Sequence, residues 1–235
     1  MANVEEPRWD EETDVVVLGG GGAGAVAALT AWDAGAKVMI VEKGDGGGNT
    51  RLATNAYVCP PDNAAAREHI KAISFDMVPD EIVDVYVRWT ARNNDYVKQL
   101  GGEVESSFPG ASFPQVVGAE TMLRFRVKGK TADELGGASL WNLLAENLAR
   151  RNIPVLRRTT AKKILARGDR VVGAAMENDG RLLRLRARRG VVLATGGFEY
   201  NEELKREYLS GYPTFAYGNP GNTGDGIKMA QELGA

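Results

Sequence analysis

A glycine turn between two apolar segments contains the residues of this sequence best suited to bind phosphate. Gly19, Gly21 and Gly24 follow the apolar residues 15–18 and have the spacing G-x-G-x-x-G. Glycines at these places permit a tight turn, a close approach of backbone to a diphosphate, and close packing of a helix against a strand. The start of a following helix adds N–H groups and a positive dipole end, which favour bound anions. The pattern therefore predicts a nucleotide diphosphate site.

An acidic residue ends the second apolar segment. Residues 38–41 are apolar and lead directly to Glu42, roughly 20 residues after the last glycine of the turn. A carboxylate at this place can accept the hydrogen bonds of an adenosine ribose. The alternative is an ordinary glycine-rich turn in a sheet protein, but that alternative does not explain why an acid ends the second strand. Dinucleotide binding is therefore the preferred interpretation.

A second glycine cluster directly after Glu42 bears on which dinucleotide binds. The sequence continues as KGDGGGNTRLA. A nicotinamide enzyme has no general reason to place glycines here. A longer flavin cofactor must pass this loop close to the backbone, which glycine permits. The loop therefore favours a flavin dinucleotide.

The elements that must position these residues form a strand–helix–strand unit over residues 13–42. Small apolar residues, among them Ala23, Val26 and Ala31, continue at helical spacing after the glycine turn, and Gly35 ends the predicted helix. The apolar segments on either side are typical of buried parallel strands. The predicted order is strand, glycine turn, helix, strand and acid.

Helical patterns dominate the middle of the chain. Asp62 or Asn63 is predicted to cap a first helix. A longer helix is predicted from residues 79–80 to the glycines at 101–102, and its aromatic residues, including Trp89, are expected in the core. A further amphipathic helix is predicted after residues 136–139.

Residues 153–195 are predicted to be mainly β-structure. The first segment is apolar and predicts a third parallel strand, and the next three alternate and predict an antiparallel meander. The arginines near residue 185 alternate with leucine and alanine, which favours a half-buried strand over a nucleic-acid surface. The last segment predicts a buried strand that ends at a further glycine turn. The predicted strands are residues 153–156, 159–165, 171–176, 182–187 and 191–194.

The composition is that of a soluble globular protein. Of the 235 residues, 43% are hydrophobic and 26% charged, and the net charge of −2 argues against a nucleic-acid surface. The one cysteine, Cys59, excludes an internal disulfide and indicates a reducing compartment. No apolar run reaches the ~20 residues of a membrane span. Residues 1–12 are acidic and lack the apolar core of a signal peptide, so we expect a disordered lead and a cytoplasmic protein.

Several motifs follow the order found in one known family: DVVVLGGGGAG, IVEKG, GGGNTRLA, VVLATGGF and NTGDGIKMAQELGA. In these motifs the chain resembles the FAD-binding domain of the fumarate reductase/succinate dehydrogenase flavoprotein family, which includes soluble fumarate reductases and 3-ketosteroid dehydrogenases. The resemblance implies an α/β fold, a Rossmann-like FAD-binding domain of the glutathione reductase type. Such a domain has a parallel sheet, flanking helices and an antiparallel β-meander. The motifs are specific for family and cofactor, and unspecific for substrate.

The resemblance also implies which residues contact the FAD. The first glycine turn would hold the pyrophosphate, Glu42 with Lys43 beside it the adenosine ribose, and the backbone of Ala161 the adenine. Thr54 and Asn55 stand where the family usually has two glycines near the flavin ring. The implied cofactor-binding residues are Gly19, Gly21, Gly22, Ala23, Gly24, Glu42, Lys43, Gly47, Gly48, Asn49, Thr50, Leu52, Ala53, Thr54, Asn55, Ala161, Ala194, Thr195, Gly196 and Asp225.

The cofactor is expected to be held without a covalent bond. Membrane-bound members of the family attach FAD to a histidine in the loop after the second strand, and residues 43–61 contain none. The one histidine, His69, lies on a predicted helix and is expected to be a surface or packing residue. No metal site is expected.

The function implied by the resemblance is that of an FAD-dependent oxidoreductase. The expected reaction is hydride transfer between the flavin and an activated carbon–carbon bond of a small-molecule substrate, with fumarate-reductase-like activity as first choice. A 3-ketosteroid dehydrogenase-like activity and a non-catalytic FAD-binding fragment are the alternatives. An NAD-dependent dehydrogenase fits only the first 42 residues.

The family continues beyond this domain with a capping domain, which contains most substrate-binding residues, and with a final FAD-binding segment. We expect residues 13–235 to be the N-terminal part of the FAD-binding domain, because Ala235 stands about where the cap would begin. No catalytic residue is assigned, and no turnover by these residues alone is expected. An exposed apolar face would then allow self-association, and neither a membrane nor a nucleic acid is expected as partner.

Overall fold

The computed structural model describes residues 8–54, 57–107, 113–131 and 134–235. The chain divides into two compact units. We call the first, Met1–Leu52 with Leu144–Ala235, the sheet unit, and the second, Ala53–Leu143, the inserted unit.

Strands and helices occur in both units. The strands are β1 (Glu11–Leu18), β2 (Val38–Val41), β3 (Tyr57–Val58), β4 (Val104–Ser106), β5 (Arg124–Val127), β6 (Val155–Leu156), β7 (Thr159–Arg167), β8 (Arg170–Asn178) and β9 (Arg181–Leu193). The helices are α1 (Gly22–Asp33), α2 (Gly48–Leu52), α3 (Ala64–Ile73), α4 (Asp80–Thr90), α5 (Asn93–Gln99), α6 (Gly136–Arg150), α7 (Glu202–Tyr208) and α8 (Asp225–Gln231). None of the helices in the described ranges has the length and apolar composition needed to cross a bilayer.

The sheet unit is built on a mixed sheet with the strand order β6-β2-β1-β9-β8-β7. The strands from β6 to β9 pair in parallel, and β9, β8 and β7 form an antiparallel meander in the same sheet. Asp179 and Gly180 both have positive φ in the hairpin between β8 and β9, as a two-residue hairpin turn requires. The predicted α/β class, with a parallel sheet and an antiparallel meander, is confirmed.

One long strand, β9, replaces two predicted ones. The sequence predicts separate strands at 182–187 and 191–194, but the strand runs without a break from Arg181 to Leu193. β9 pairs with both β8 and β1, so hydrogen bonds from two neighbours keep it extended across the arginines that interrupt the apolar pattern. The prediction that its second part is buried is wrong, because Leu193 is 39% exposed.

The first strand begins earlier than the sequence predicts. The Asp10 N–H donates to the Arg184 carbonyl over 2.9 Å, and the Arg184 N–H donates to Asp10 Oδ2 over 2.8 Å. β1 itself starts at Glu11 and pairs with β9 from its first residue. The disordered lead expected over residues 1–12 therefore does not include residues 10–12.

The core of the sheet unit joins the parallel strands to the meander and to α8. Leu18 in β1, Val41 in β2, Met176 in β8 and Met229 in α8 belong to one buried apolar cluster. Alternate residues of the apolar segments that form β1 and β2 are thereby buried in this cluster. The core leaves the carboxyl ends of β1, β2 and β9 free to form a site.

The inserted unit combines helices with the small antiparallel sheet β3-β5-β4. The long helix predicted from residues 79–80 to 101–102 is in fact two helices, α4 and α5. The Thr90 hydroxyl donates to the Tyr86 carbonyl over 2.7 Å, a side-chain bond that competes with the helical ladder just before the break. Trp89 is 59% exposed, so the prediction that it lies in the core is wrong.

His69 has a packing role in the inserted unit, one of the two roles expected for it. The side chain is 1% exposed, and its Nδ1 lies 2.9 Å from the Val117 carbonyl oxygen. Asn63 caps the helix that contains it by accepting a hydrogen bond from the Ala66 N–H over 2.9 Å. The predicted helix start is therefore confirmed.

Candidate functional site

A cavity of about 730 Å³ lies at the carboxyl ends of β1, β2 and β9. Its size falls within the roughly 300–1,000 Å³ of small-molecule and cofactor sites, and its place is where ligands bind in open α/β sheets. All of its lining residues belong to the sheet unit: Gly19, Gly21, Gly22, Ala23, Val41, Glu42, Lys43, Gly44, Asp45, Gly46, Gly48, Asn49, Thr50, Arg51, Leu52, Thr159, Ala161, Ala194, Thr195, Gly196, Asn219, Pro220, Gly221, Asn222 and Asp225.

The first glycine turn is held between the two neighbouring strands. The Gly19 N–H donates to the Val41 carbonyl and the Ala194 N–H to the Leu18 carbonyl, both over 2.8 Å. Gly19 has a φ of +104°, and a Cβ there would lie 2.3 Å from the Ala194 oxygen, so only glycine fits. The turn thereby directs the start of α1 toward the cavity, where N–H groups of the first turn have no partner within the helix.

Gly24, the third glycine of the motif, packs inside the unit and does not line the cavity. A Cβ at this position would lie 1.9 Å from the Gly19 carbonyl oxygen. The absence of a side chain lets α1 approach β1 closely. Gly24 therefore shapes the cavity from behind, as the third glycine of such motifs does.

Glu42 has a carboxylate that is fixed at both oxygens. Oε2 accepts from the Gly20 N–H and Oε1 from the Gly44 N–H, each over 2.6 Å. A carboxylate has about four lone-pair sites, so acceptor capacity is left for a ligand in the cavity. The carboxylate lies beside the first glycine turn, as the sequence predicts.

The second glycine cluster lies along the first. The Gly47 N–H donates to the Gly20 carbonyl over 2.9 Å, and the Gly22 N–H donates to the Thr50 hydroxyl over 3.1 Å. Gly46, Gly47 and Gly48 all have positive φ, which explains why this loop needs glycine. The loop and α2 form one wall of the cavity.

Lys43 connects that wall to the last loop of the unit. Its Nζ donates to Thr223 Oγ1 over 2.8 Å, to the Gly221 carbonyl over 3.1 Å, and pairs with Asp225 Oδ2 at 2.9 Å. The ammonium is thus paired with Asp225, and both side chains are partly exposed. Arg51 lines the same cavity, and within the described residues no carboxylate lies within salt-bridge distance of it.

Glu199 lies beside the cavity and contacts two of its lining amides. Its Oε1 accepts from Asn49 Nδ2 and from Asn222 Nδ2, each over 2.7 Å. Partial burial acts to raise the pKa of Glu199. The hydrogen bonds from Asn222, from its own backbone N–H and from Asn49 outweigh burial, so the pKa lies below its ordinary value. Glu199 is therefore ionised at neutral pH.

Most of the residues that the sequence indicates do line this cavity. Gly24 and Gly47 instead support its backbone. Ala53 and Thr54 belong to the inserted unit, and Asn55 lies outside the described residues. The indicated residues that line the cavity are Gly19, Gly21, Gly22, Ala23, Glu42, Lys43, Gly48, Asn49, Thr50, Leu52, Ala161, Ala194, Thr195, Gly196 and Asp225.

Some lining residues were not indicated by the sequence. Gly44, Asp45 and Gly46 belong to the second glycine cluster, and their place in it is the signal that could have found them. Residues 219–222 precede the TGDG turn and have the turn-forming sequence NPGN. Arg51 and Thr159 offer no such signal, because a lone arginine or threonine is common on any surface.

The lining suits an extended ligand with phosphates and sugar hydroxyls. Backbone N–H groups at the start of α1 favour phosphate, and the carboxylates of Glu42 and Asp225 suit hydroxyl groups. Among the described lining residues there is no histidine, cysteine or tyrosine. The polar side chains of the lining include the carboxylates of Glu42, Asp45 and Asp225 and the amides of Asn49 and Asn222.

The comparisons with known proteins agree with this chemistry. The sequence model of the family described as FAD binding domain matches residues 14–235. The chain is 27% identical to the 3-oxosteroid 1-dehydrogenase of Mycolicibacterium smegmatis, covering 96% of this chain and 54% of the relative. It is 30% identical to the NADH:fumarate oxidoreductase of Klebsiella pneumoniae, covering 94% of this chain and 24% of the relative.

A solved structure shows the same fold. The crystal structure of the 3-ketosteroid-delta4-(5alpha)-dehydrogenase from Rhodococcus jostii, in complex with 4-androstene-3,17-dione, is 25% identical and superimposes with a TM-score of 0.83. The match covers 100% of this chain and 56% of that one. The chain thus spans about half the length of the steroid dehydrogenases that it matches.

Proposed function

The chain belongs to the FAD binding domain family, and from this membership we propose that it forms the FAD-binding part of a flavin-dependent oxidoreductase. FAD is the cofactor that the family and the fold indicate. The observation that most supports the proposal is the cavity itself. It joins the first glycine turn, Glu42 and the second glycine cluster with residues 194–196, 219–222 and 225, which lie far away in the sequence.

The lining residues fit FAD part by part. The first glycine turn would hold the pyrophosphate, the Glu42 carboxylate the adenosine ribose, and Ala161 the adenine. Asp225 offers a carboxylate to hydroxyl groups, and Asn49 and Thr50 lie beside the glycine turn. When bound, FAD supplies the hydride chemistry, and the protein binds, orients and shields it.

The proposed reaction is hydride transfer between the flavin and an activated carbon–carbon bond. A fumarate-reductase-like activity on an unsaturated acid is the first candidate, supported by the fumarate oxidoreductase among the relatives. A 3-ketosteroid dehydrogenase-like activity is the second, supported by a relative of that name matched over 54% of its length. A non-catalytic FAD-binding module is not favoured, because the matched relatives are named as reductases and dehydrogenases.

A reoxidation experiment tests the proposal. The purified chain is mixed with FAD and freed of unbound cofactor. One sample is photoreduced without oxygen and then given fumarate, and a second sample, whose flavin is left oxidised, is given 4-androstene-3,17-dione. A yellow protein whose reduced flavin is reoxidised by fumarate supports the first candidate. In the opposite direction, reduction of the oxidised flavin by the steroid supports the second. A colourless protein that does not change flavin fluorescence on titration would refute FAD binding.

The mode of attachment and the cellular address are also proposals. We infer that FAD is held without a covalent bond, since no histidine stands in residues 43–61. A cytoplasmic location is supported by the one, unpaired cysteine. Fractionation of cells that express the protein would test this address.

A further inference from the structure

Three separate segments meet at the Glu199 carboxylate. Asn49 comes from α2, Glu199 from the turn after β9, and Asn222 from the loop before α8. Asn49 is 150 residues away from Glu199 in sequence, and Asn222 is 23 residues away. One carboxylate oxygen accepts both side-chain amides, so it fixes two walls of the cavity at once.

Asn49 is also bound at the other end of its amide, and Asn222 is bound through its backbone. Asn49 Oδ1 accepts from the Asn219 N–H over 2.6 Å, and the Asn222 backbone carbonyl accepts from the Tyr200 N–H over 3.0 Å. Asn222 is 6% exposed, so its side-chain amide depends on the Glu199 carboxylate as an internal partner. The two side-chain bonds of Asn49 leave its amide little freedom to rotate.

Glycines lie close to the side chains of Glu199, Asn49 and Asn222. A Cβ at Gly196 would lie 2.6 Å from Asn222 Oδ1, and a Cβ at Gly218 would lie 2.8 Å from Asn49 Oδ1. A Cβ at Gly197 would lie 2.5 Å from Glu199 Oε2. The backbone therefore leaves space for this arrangement of side chains and for little else.

We propose that Glu199 is a positioning residue that holds Asn49 and Asn222 in the wall of the cavity and thereby keeps α2 and residues 216–224 in place for FAD. That the ligand is FAD rests on the proposed function. That Glu199 holds Asn49 and Asn222 rests on the geometry alone. Asn49 then acts through its place in the wall, because its amide is already engaged by Glu199 and Asn219. The ionised form matters, since hydrogen bonds to a charged acceptor are roughly twice as strong as neutral ones.

The first test needs no cofactor. Hydrogen–deuterium exchange is compared between the 235-residue chain and its Glu199→Gln variant, with Glu203→Gln as a matched control. Glu203 is an exposed acid on α7, paired with Lys228 at 3.7 Å, and does not line the cavity. We expect faster exchange in residues 44–54 and 216–224 of Glu199→Gln only. Unchanged exchange in both segments would overturn the proposal.

A swap of donor and acceptor provides the decisive variant. Asn49→Asp places two carboxylates together, which is unfavourable. In the double variant Asn49→Asp/Glu199→Gln, the new amide at position 199 can donate to the new carboxylate at position 49, and the amide oxygen can still accept from Asn222. The double variant is therefore expected to regain exchange protection and FAD affinity relative to Asn49→Asp. If the losses of exchange protection and of FAD affinity in the two single variants simply add in the double variant, the two residues act independently.

FAD titration gives the second readout. Glu199→Gln keeps an acceptor oxygen for the two asparagine amides but loses the charge, and because bonds to a neutral acceptor are roughly half as strong, FAD binding is expected to weaken about tenfold. Asn49→Ala removes an exposed amide from the other side of the contact and is expected to weaken binding in the same way, should Glu199→Gln fail to fold. A wild-type chain that binds no FAD would refute the proposed function, while the exchange comparison would still decide the role of Glu199.

Discussion

The Glu42 carboxylate has two tasks, and a pair of variants separates them. It accepts the Gly20 and Gly44 N–H groups and faces the proposed ribose site. Glu42→Ala loses the bonds from the glycine N–H groups and the bond to the ribose. Because hydrogen bonds to charged groups contribute about 1.5–3 kcal/mol, FAD affinity is expected to fall by one to two decades.

Glu42→Gln keeps the size of the side chain but must turn an NH₂ group toward one of the two glycine N–H groups. A loss of affinity close to that of Glu42→Ala is therefore expected. Titration of the apo-protein with FAD, followed by flavin fluorescence, measures both, with Glu203→Gln as control. A dissociation constant that Glu42→Ala leaves unchanged would contradict the ribose assignment.

Tyr57 in the inserted unit has a pKa that is changed by burial. Its hydroxyl is buried, and the described residues offer it no hydrogen-bond partner. Burial, and after it the neighbouring Cys59, raises the pKa of Tyr57 to about 12. The folded state therefore favours the neutral phenol. This contribution to stability is complete below the unfolded pKa of about 10, and is lost as the pH rises through the folded value.

Tyr57→Phe removes the unsatisfied hydroxyl and is expected to leave the free energy of unfolding at pH 7 unchanged or raise it by about 1 kcal/mol. The variant should also lose less stability than wild type between about pH 10 and 12. Urea unfolding at both pH values measures this, with Tyr86→Phe, whose side chain is 43% exposed, as control. A clear destabilisation at pH 7 would reveal a bound partner for the hydroxyl.

The contact between α1 and β1 is the element-scale feature on which the cavity depends. Gly24→Ala would push a Cβ to 1.9 Å from the Gly19 carbonyl, so the helix must move away from the strand. Overpacking of this kind costs about 1–3 kcal/mol or more. Gly190→Ala is the control, because a Cβ there meets nothing within 4 Å.

We expect Gly24→Ala to lower the melting temperature and to abolish measurable FAD binding, while Gly190→Ala changes neither. Differential scanning calorimetry and flavin titration provide the two measurements. If Gly24→Ala bound FAD as wild type does, the close approach of α1 would not matter to the site.

At the scale of elements, the sequence predicts features that depend on residues nearby in the chain. It misses features that depend on contacts with strands far away in the chain. The bounds of β2 and the Asn63 cap follow from short patterns and are confirmed. The continuity of β9 and the paired residues before β1 depend on strands far away in sequence. The break between α4 and α5 depends on Thr90, whose hydroxyl gave no signal within the apolar pattern.

The same limit applies to the whole molecule. The wall of the cavity near β1 and β2 follows from the glycine motifs and Glu42. The opposite wall depends on the contact of Lys43 with Asp225, which are 182 residues apart, and on the contacts of Glu199 with Asn49 and Asn222. No spacing rule relates these positions, because only the folded sheet brings them together.

Binding of FAD is expected to change the stability of the molecule in a unit-specific way. A ligand that binds only the folded state at 100 times its dissociation constant adds about 2.7 kcal/mol. For a chain of this length the melting temperature should then rise by roughly 5–10 °C. Because the lining residues lie in the sheet unit, protection from hydrogen exchange should increase there, and riboflavin, which lacks the diphosphate and adenosine, should protect less.

The same sample decides how FAD is attached. Without a covalent bond, acid or heat should release all of the flavin into the supernatant. The cavity lining supports this expectation, since the lining residues that the structure describes include no histidine or cysteine to which FAD could be joined. Flavin fluorescence that stays with the denatured band on a gel would contradict non-covalent binding. An equal rise in melting temperature with riboflavin would instead show that the glycine turn and Glu42 contribute nothing to the binding of FAD.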